Sequence, residues 1–178
     1  KAVREPTLLA FATASSEAAY PRTLAQLEKF GCSNRVASFV LPLGYSFNLD
    51  GSMMYCTFAV MFIAQAYGID LTIGQQLTML LVLMVTSKGI AGVPRASLVV
   101  ISATLPAMGM KPEWIALVLA VDAFMDMGRT ATNVIGNSIA CAVIAKWEGL
   151  LSNPKEDQPA VEAVLGPEES ESAPEANR

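Results

Sequence analysis

A stripe of polar residues in an otherwise apolar helix constrains this chain more than any other feature. Residues 121–137 read VDAFMDMGRTATNVIGN, and their polar members Asp122, Asp126, Arg129, Asn133 and Asn137 follow at steps of four, three, four and four. On an α-helix these steps place all five side chains on one face. Charge inside an apolar, bilayer-compatible segment is costly and marks a functional site by default. The stripe therefore predicts a binding site within a membrane.

The composition is that of a membrane protein. Of the 178 residues, 53% are hydrophobic and 16% are charged, whereas soluble domains carry about 25% charge. Cys32, Cys56 and Cys141 are too widely scattered to indicate a disulfide framework or a metal–thiolate site. With no histidine in the chain, any proton carrier must be a carboxylate. The chain begins at Lys1 without a signal-peptide pattern, and we expect it to be a piece of a longer polypeptide.

The first predicted element is a re-entrant hairpin over about residues 6–30. Two short helical arms flank the small, hydroxylated tip at Ser15, Ser16 and Glu17. An ordinary helix turn with a serine cap would explain the same residues. The pattern of this stretch favours neither alternative over the other.

A broken transmembrane helix is predicted over about residues 35–68. Residues 36–47 and 51–69 carry no charge, and the polar sequence NLDGS joins them. Two separate helices with a loop would leave 36–47 shorter than the roughly 17–25 residues that a span requires. A helix unwound at mid-depth is therefore favoured, since its freed carbonyls and the Asp50 carboxylate can hold a cation.

The second half of the chain predicts another hairpin, a last helix and a tail. Charge-free arms flank a Gly- and Pro-containing turn over about residues 71–110, which favours a second re-entrant hairpin over two thin helices. The last helix, about residues 113–147, carries the polar stripe. Residues 150–178 predict a disordered acidic tail, which the distribution of Lys and Arg places in the cytoplasm.

These elements together predict an all-α membrane protein with two re-entrant hairpins, one broken helix and one polar-striped helix. Residues 1–149 would form the core, in which short hairpins and a broken helix converge as they do in secondary transporters. The guanidinium of Arg129 suits a carboxylate, and Asp126 suits an ammonium group. An intrahelical Asp126–Arg129 ion pair without a ligand is the plainer alternative.

Four motifs in register carry a family resemblance. The chain resembles the dicarboxylate/amino acid:cation symporters, the glutamate transporter family, over about residues 6–149, and within it the bacterial proton/glutamate symporters. The matching segments are ASSE at 14–17, GYSFNLDGS at 44–52, SKGIAGVP at 87–94, and DMGRT at 126–130 with Asn133.

The resemblance implies a role for each matching residue. Substrate binding would fall to Ser15, Ser16, Ser52, Val93, Asp126, Arg129, Thr130 and Asn133. The cation positions, where Na⁺ is the metal ion to consider, would be Gly44, Ser46, Asn48, Asp50, Ser87, Lys88, Ile90, Asn133 and Asn137. Asp122 would help to position Arg129 or the cation-binding segment. The family also implies a homotrimer in which this core moves like an elevator against a scaffold.

Two departures from the family pattern bear on the coupling ion. Asn137 stands where sodium-coupled members often have an aspartate, and Lys88 places a cation beside a carbonyl site. Both favour protons over sodium, with Glu17 or Asp122 as carriers, and leave H⁺ and Na⁺ both open. Arg95 stands where relatives commonly have glycine, and nothing in the sequence explains it.

The predicted function is symport of acidic amino acids, glutamate or aspartate, across a bacterial inner membrane, without a cofactor and without enzymatic activity. The expected partners are the small substrate, membrane lipid and copies of the same chain, with no nucleic acid. A C4-dicarboxylate symporter is the first alternative, although Asp126 would then have no ammonium group to meet. An aspartyl protease using Asp50 with Asp122 or Asp126, and a fragment with only a structural role, are the others.

Overall fold

The computed structural model describes residues 2–87 and 96–152, which form helices, turns and one isolated β-bridge but no β-strand. The all-α class is therefore confirmed for this part of the chain. Lys88, Ile90, Val93, Arg95 and the tail from residue 153 lie outside the described residues. The helices are α1 (Arg4–Thr13), α2 (Ser16–Phe30), α3 (Asn34–Phe47), α4 (Asp50–Ala66), α5 (Ile73–Thr86), α6 (Ala96–Ala107) and α7 (Ala116–Trp147).

α1 and α2 pack against each other, and only two residues connect them. α1 ends because Ala14 adopts a left-handed conformation with φ of 48°. Ser15 then turns extended, and its hydroxyl accepts a hydrogen bond from the Ala18 N–H at 3.2 Å, which caps α2. An ion pair between Glu5 and Arg22 joins the two helices away from this tip. The serine-rich stretch is thus the tip of a helical hairpin with a serine cap.

α3 and α4 are the two halves of an interrupted helix. Ser33 caps the start of α3, and helical dihedrals are lost only at Asn48 (φ −111°, ψ 73°) and Leu49 (φ −102°, ψ 59°). Within the described residues, the stretch Asn34–Ala66 taken as a whole is the one that length and composition would allow to cross a membrane. The interruption lies within the polar sequence that joins the two apolar halves.

α5 and α6 are short, apolar helices that pack against each other. Thr72 and Gln75 form a capping box at the start of α5, in which each side chain bonds the other residue's backbone N–H. Their lengths of 14 and 12 residues fall below the roughly 17–25 residues of a full span. The connection between them belongs largely to the residues that are not described.

α7 is the central element of the fold. It follows a 3₁₀ turn at Pro112–Ile115 and has 32 residues, a length of about 48 Å. α7 packs against α1, α2, α3 and α4. One buried cluster joins its beginning to α4, α5 and α6, and a second joins its end to α2 and α3. The polar stripe lies between these two apolar clusters.

The outer faces of several helices carry large apolar side chains. More than half of the side-chain surface is exposed at Phe39, Phe58, Leu81, Val99 and Phe124. A water-soluble monomer rarely exposes so much apolar surface. These faces suit contact with lipid or with other apolar helices.

After α7 the chain turns back onto the connection between α2 and α3. The Ser33 N–H donates to the Leu150 carbonyl at 3.2 Å, and the Ser152 N–H donates to the Gly31 carbonyl at 2.9 Å. Cys32 and Leu151 face each other in an isolated antiparallel bridge. We call this paired segment, residues 31–33 with 150–152, the terminal clasp.

Candidate functional site

The polar stripe of α7 faces the interior of the helical assembly. Asp122 and Asn137 are fully buried, and Arg129 and Asn133 are nearly so. Asp126 is the exception, with 18% of its side chain exposed. The five side chains thus line one buried face, and Asp126 is the member that solvent reaches.

Arg129 is held between the two aspartates of its own helix. Its Nη2 and Nε lie 2.7 and 2.8 Å from Asp126 Oδ1, and its Nη1 lies 3.5 Å from Asp122 Oδ1. Arg129 Nη1 is buried and makes no hydrogen bond within the described residues. A buried guanidinium with an unused donor fits an incoming carboxylate, because Arg binds carboxylates through two parallel hydrogen bonds.

Tyr55 of α4 completes this charged cluster, although sequence reasoning did not assign it to the site. Its hydroxyl donates to Asp122 Oδ1 at 2.9 Å, and its ring centroid lies 5.1 Å from the Arg129 guanidinium carbon. The ring supplies a cation–π contact to Arg129, and the hydroxyl holds the Asp122 carboxylate beside the guanidinium. Tyr55 follows Gly51 by four residues, so helical spacing from the polar join was the one available signal.

Side chains of the polar stripe also form hydrogen bonds with the residues at the break between α3 and α4. Asn133 Oδ1 accepts from the Gly51 N–H at 2.8 Å, and Asn133 Nδ2 donates to Ser52 Oγ at 3.3 Å. One turn on, Asn137 Oδ1 accepts from Asn48 Nδ2 at 3.0 Å. These bonds satisfy backbone and amide groups that the interrupted helix leaves without helical partners. Sequence reasoning assigned Asn48, Ser52, Asn133 and Asn137 to the site, and the structure brings them together.

Three glycines allow the helices to approach this closely. A Cβ at Gly44 would overlap the Asn137 amide, one at Gly51 would overlap the Arg129 carbonyl, and one at Gly136 would overlap the Asp50 carboxylate. The Asp50 side chain therefore lies against the α7 backbone beside Asn48. Of the three, Gly51 and Gly136 are further residues that sequence reasoning did not assign to the site.

The remaining predicted residues lie at the hairpin tip or turn toward their own helices. Ser15 Oγ donates to Glu17 Oε2 at 3.0 Å at the exposed tip, where Ser16 begins α2. The hydroxyls of Ser46 and Ser87 donate to carbonyls of their own chain segments, those of Pro42 and Met84. Thr130 is buried on α7. Among the described residues, the side-chain hydrogen bonds of Ser46 and Ser87 go to the backbone and not to the stripe.

The side chains of the site are suited to bind a charged ligand and a hard cation. Arg129 and Asp126 offer opposite charges one turn apart. Asn48, Asp50 and Asn137 offer oxygen atoms at the interruption, and oxygen is the ligand that hard cations prefer. Asn137 Nδ2 is buried and makes no hydrogen bond within the described part of the chain, which leaves a donor for a bound group.

Comparison with known proteins identifies relatives of this arrangement. Residues 1–147 match the sodium:dicarboxylate symporter family. The chain is 52% identical to a proton/sodium-glutamate symport protein of Bacillus caldotenax over 89% of its length, and 53% identical to a proton/glutamate-aspartate symporter of Escherichia coli (strain K12) over 82%. It is 46% identical to a C4-dicarboxylate transport protein of Bacillus subtilis (strain 168) over 92%.

The chain spans 38%, 33% and 38% of these three relatives, in the same order. The match is therefore to about a third of a transporter of this kind, and it includes every helix described above. With its family match over residues 1–147 and identities above 50% to two of these symporters, this chain belongs to the sodium:dicarboxylate symporter family.

Proposed function

We propose that this chain is the substrate-binding core of a secondary active symporter for acidic amino acids. The observation that carries the proposal is the Arg129–Asp126 pair, in which a nearly buried guanidinium contacts a partly exposed carboxylate at 2.7 Å. Two opposite charges a turn apart match a substrate that has both a carboxylate and an ammonium group. The names of the relatives in Bacillus caldotenax and Escherichia coli support glutamate or aspartate as that substrate.

In this proposal the substrate replaces the ion pair that exists without it. The side-chain carboxylate of glutamate or aspartate binds the Arg129 guanidinium, and the released Asp126 carboxylate accepts the substrate's ammonium group. Asp122 and Tyr55 stay in place and keep the guanidinium oriented. Thr130, Asn133 and Ser52 add polar contacts, and Ser15 and Ser16 at the hairpin tip, with Val93, hold the α-carboxylate.

The coupling ion is proposed to be a proton, Na⁺ or both. Three cation positions are proposed from the family pattern: one at Gly44, Asn48, Asn133 and Asn137, a second at Asn48 and Asp50, and a third at Ser46, Ser87, Lys88 and Ile90. Asp122 and Glu17 are the proposed proton carriers. A neutral amide at residue 137 supplies no negative charge for Na⁺, which favours protons. One relative is named a proton/sodium symporter and another a proton symporter, so both ions occur in names within the family.

The whole protein is proposed to be a homotrimer in a bacterial inner membrane, with the acidic tail in the cytoplasm. In this arrangement α1–α2 and α5–α6 are re-entrant hairpins, and the core moves like an elevator against a scaffold. The shortness of α5 and α6 supports the hairpins, and the exposed apolar faces support contact with lipid and scaffold.

A C4-dicarboxylate symporter is the second candidate, because the chain is 46% identical to a relative of that name. Such a substrate has two carboxylates and no ammonium group. The partly exposed Asp126 carboxylate would then repel the ligand unless it were protonated. Asp126 is the residue that favours the amino acid.

Uptake by the full-length transporter, reconstituted in liposomes, tests the proposal. Arg129→Cys removes the guanidinium and is expected to lower affinity for glutamate by about 10²- to 4 × 10³-fold, from a loss of about 3–5 kcal/mol. Asp126→Asn is expected to lower the affinity for every amino acid substrate by about 10- to 100-fold, from a loss of about 1.5–3 kcal/mol of binding free energy. The control is Ser138→Ala, since among the described residues this buried hydroxyl of the same helix bonds only the backbone carbonyl of Val134.

Unchanged glutamate uptake in either aspartate or arginine variant would refute the assigned roles. Competition separates the two candidate substrates: succinate that outcompetes glutamate and aspartate would replace the amino acid with a dicarboxylate. Imposing sodium and proton gradients one at a time identifies the coupling ion.

A further inference from the structure

Hydrogen bonds within the protein already use the oxygen atoms of the first proposed cation position, which comprises Gly44, Asn48, Asn133 and Asn137. Asn137 Oδ1 accepts from Asn48 Nδ2 at 3.0 Å, and the Gly44 carbonyl accepts from the Asn48 N–H at 2.7 Å. Asn133 Oδ1 accepts from the Gly51 N–H at 2.8 Å. Each of these three oxygen atoms therefore has a donor from the chain itself.

The side-chain atom of this position that is left over is a donor. Asn137 is fully buried, and its Nδ2 makes no hydrogen bond within the described residues. An amide nitrogen presents hydrogens, whereas a hard cation needs oxygen ligands. If both amides were turned over, the bond between them would use the Asn48 oxygen in place of the Asn137 oxygen. In either orientation the pair gives up one oxygen atom and supplies no charge.

The position also lacks negative charge and open space. Its three side chains are neutral amides, and a cation that leaves water for a buried site is costly unless its charge is paired. Gly44 lies directly against Asn137, because a Cβ on Gly44 would overlap the Asn137 amide. The Asp50 carboxylate lies against Gly136 instead and belongs to the second position. The first position is thus closed by protein atoms.

We infer that no cation binds at the first position, where Asn48 and Asn137 form a hydrogen-bonded joint in its place. Na⁺ is the metal ion named in the family and in one relative, and the residues of this position do not fit it. Asn137 is then a positioning residue, which holds Asn48 against α7 at the break between α3 and α4. The inference rests on the proposed function and reduces its cation positions from three to two.

The variant Asn137→Asp separates a joint from a cation site. It keeps one oxygen to accept from Asn48 Nδ2, replaces the amide nitrogen by a second oxygen and adds a negative charge. A buried charge without a partner destabilises the folded protein, and a bound cation would pair it. Asn137→Asp is therefore expected to create a Na⁺ site that the native protein lacks.

The test measures thermal unfolding of the full-length transporter in detergent, without glutamate, as Na⁺ replaces choline at constant ionic strength. An ion that binds only the folded protein raises the unfolding midpoint. At saturating concentrations, the slope of the midpoint against log [Na⁺] increases with the number of ions bound to the folded protein. This slope therefore compares the number of bound Na⁺ ions between variants.

Asn137→Ala should lower the midpoint and keep the slope of the native protein, because it removes a hydrogen bond and no cation site. Asn137→Asp should have a lower midpoint in choline and a slope that is steeper by one ion. Ser138→Ala is the matched control, since the next side chain on α7 donates to the Val134 carbonyl at 2.7 Å. Its slope should equal that of the native protein.

A slope that falls by one ion in Asn137→Ala would overturn the inference, because the native amide would then hold a cation. An unchanged slope in Asn137→Asp would overturn it as well. If Asn137→Asp does not fold in either salt, the comparison of Asn137→Ala with the native protein decides. Failure here leaves the proposed substrate unaffected, since the Arg129 and Asp126 variants test the substrate separately through uptake.

Discussion

Gly44 provides a sharp test of the close approach between α3 and α7. A Cβ at this position would overlap Oδ1 and Cγ of Asn137, whereas it would lie 3.5 Å from the Asn137 Cβ, an ordinary contact. Asn137 is fully buried, and its Oδ1 accepts the hydrogen bond from Asn48 at 3.0 Å. Gly44→Ala must therefore push the Asn137 amide away from Asn48, at the break between α3 and α4.

The expected loss of stability is about 1–3 kcal/mol. Overpacking a buried contact costs about 1–3 kcal/mol, and loss of the Asn48–Asn137 hydrogen bond costs about 0.5–1.5 kcal/mol. Replacing glycine by alanine in a helix offsets this by about 0.5–1 kcal/mol. Gly74→Ala in α5 is the matched control, because a Cβ there meets no atom of the described residues within 4 Å. This variant should keep the stabilisation that alanine gives over glycine in a helix.

The assay is thermal unfolding of the full-length transporter in detergent, followed by tryptophan fluorescence. Gly44→Ala should unfold at a lower temperature than the native protein, and Gly74→Ala should not. The double variant Gly44→Ala with Asn137→Ala removes the overlapping Oδ1 and Cγ, so it should be no less stable than Asn137→Ala alone. Equal destabilisation by Gly44→Ala with and without the Asn137 side chain would refute the reasoning, because the two effects would then be independent.

Three further predictions concern single contacts. Tyr55→Phe keeps the ring near Arg129 but removes the 2.9 Å hydrogen bond to Asp122, and thermal unfolding should report a loss of about 1.5–3 kcal/mol; an unchanged midpoint would contradict this. Gly136→Ala displaces the carboxylate of Asp50, an exposed residue, so the cation dependence of glutamate uptake should change while stability does not. Thr72→Ala breaks the capping box of α5 and should cost about 1 kcal/mol of stability, with Thr78→Ala, an exposed hydroxyl on the same helix, as the neutral comparison.

The sequence was sufficient for the helices and for the composition of the stripe. Apolar runs of limited length and the polar join at residues 48–52 each favoured one local structure, whereas the serine-rich stretch at residues 14–17 fitted two. The steps of the polar residues on α7 follow from helical periodicity alone. The family resemblance was equally readable, since it rests on four motifs in order.

The partners of these residues were not readable from the sequence. Tyr55 looks like any aromatic residue of an apolar helix, and only packing of α4 on α7 places its hydroxyl against Asp122. Gly136 looks like a helical defect until the Asp50 carboxylate is seen against it. Ser46 and Ser87 matched the family motif, yet their side-chain hydroxyls bond their own backbone.

What the sequence determined by itself is local: helical segments, their ends, and the placing of five polar side chains on one face of one helix. These follow from periodicity and capping, which act between residues a few positions apart. Which distant groups meet followed only from the tertiary structure, such as Asn137 with Asn48 and Tyr55 with Asp122. Such contacts form only when helices distant in the sequence pack together. Their free energy depends on the fit between two surfaces, and no single stretch of sequence determines that fit.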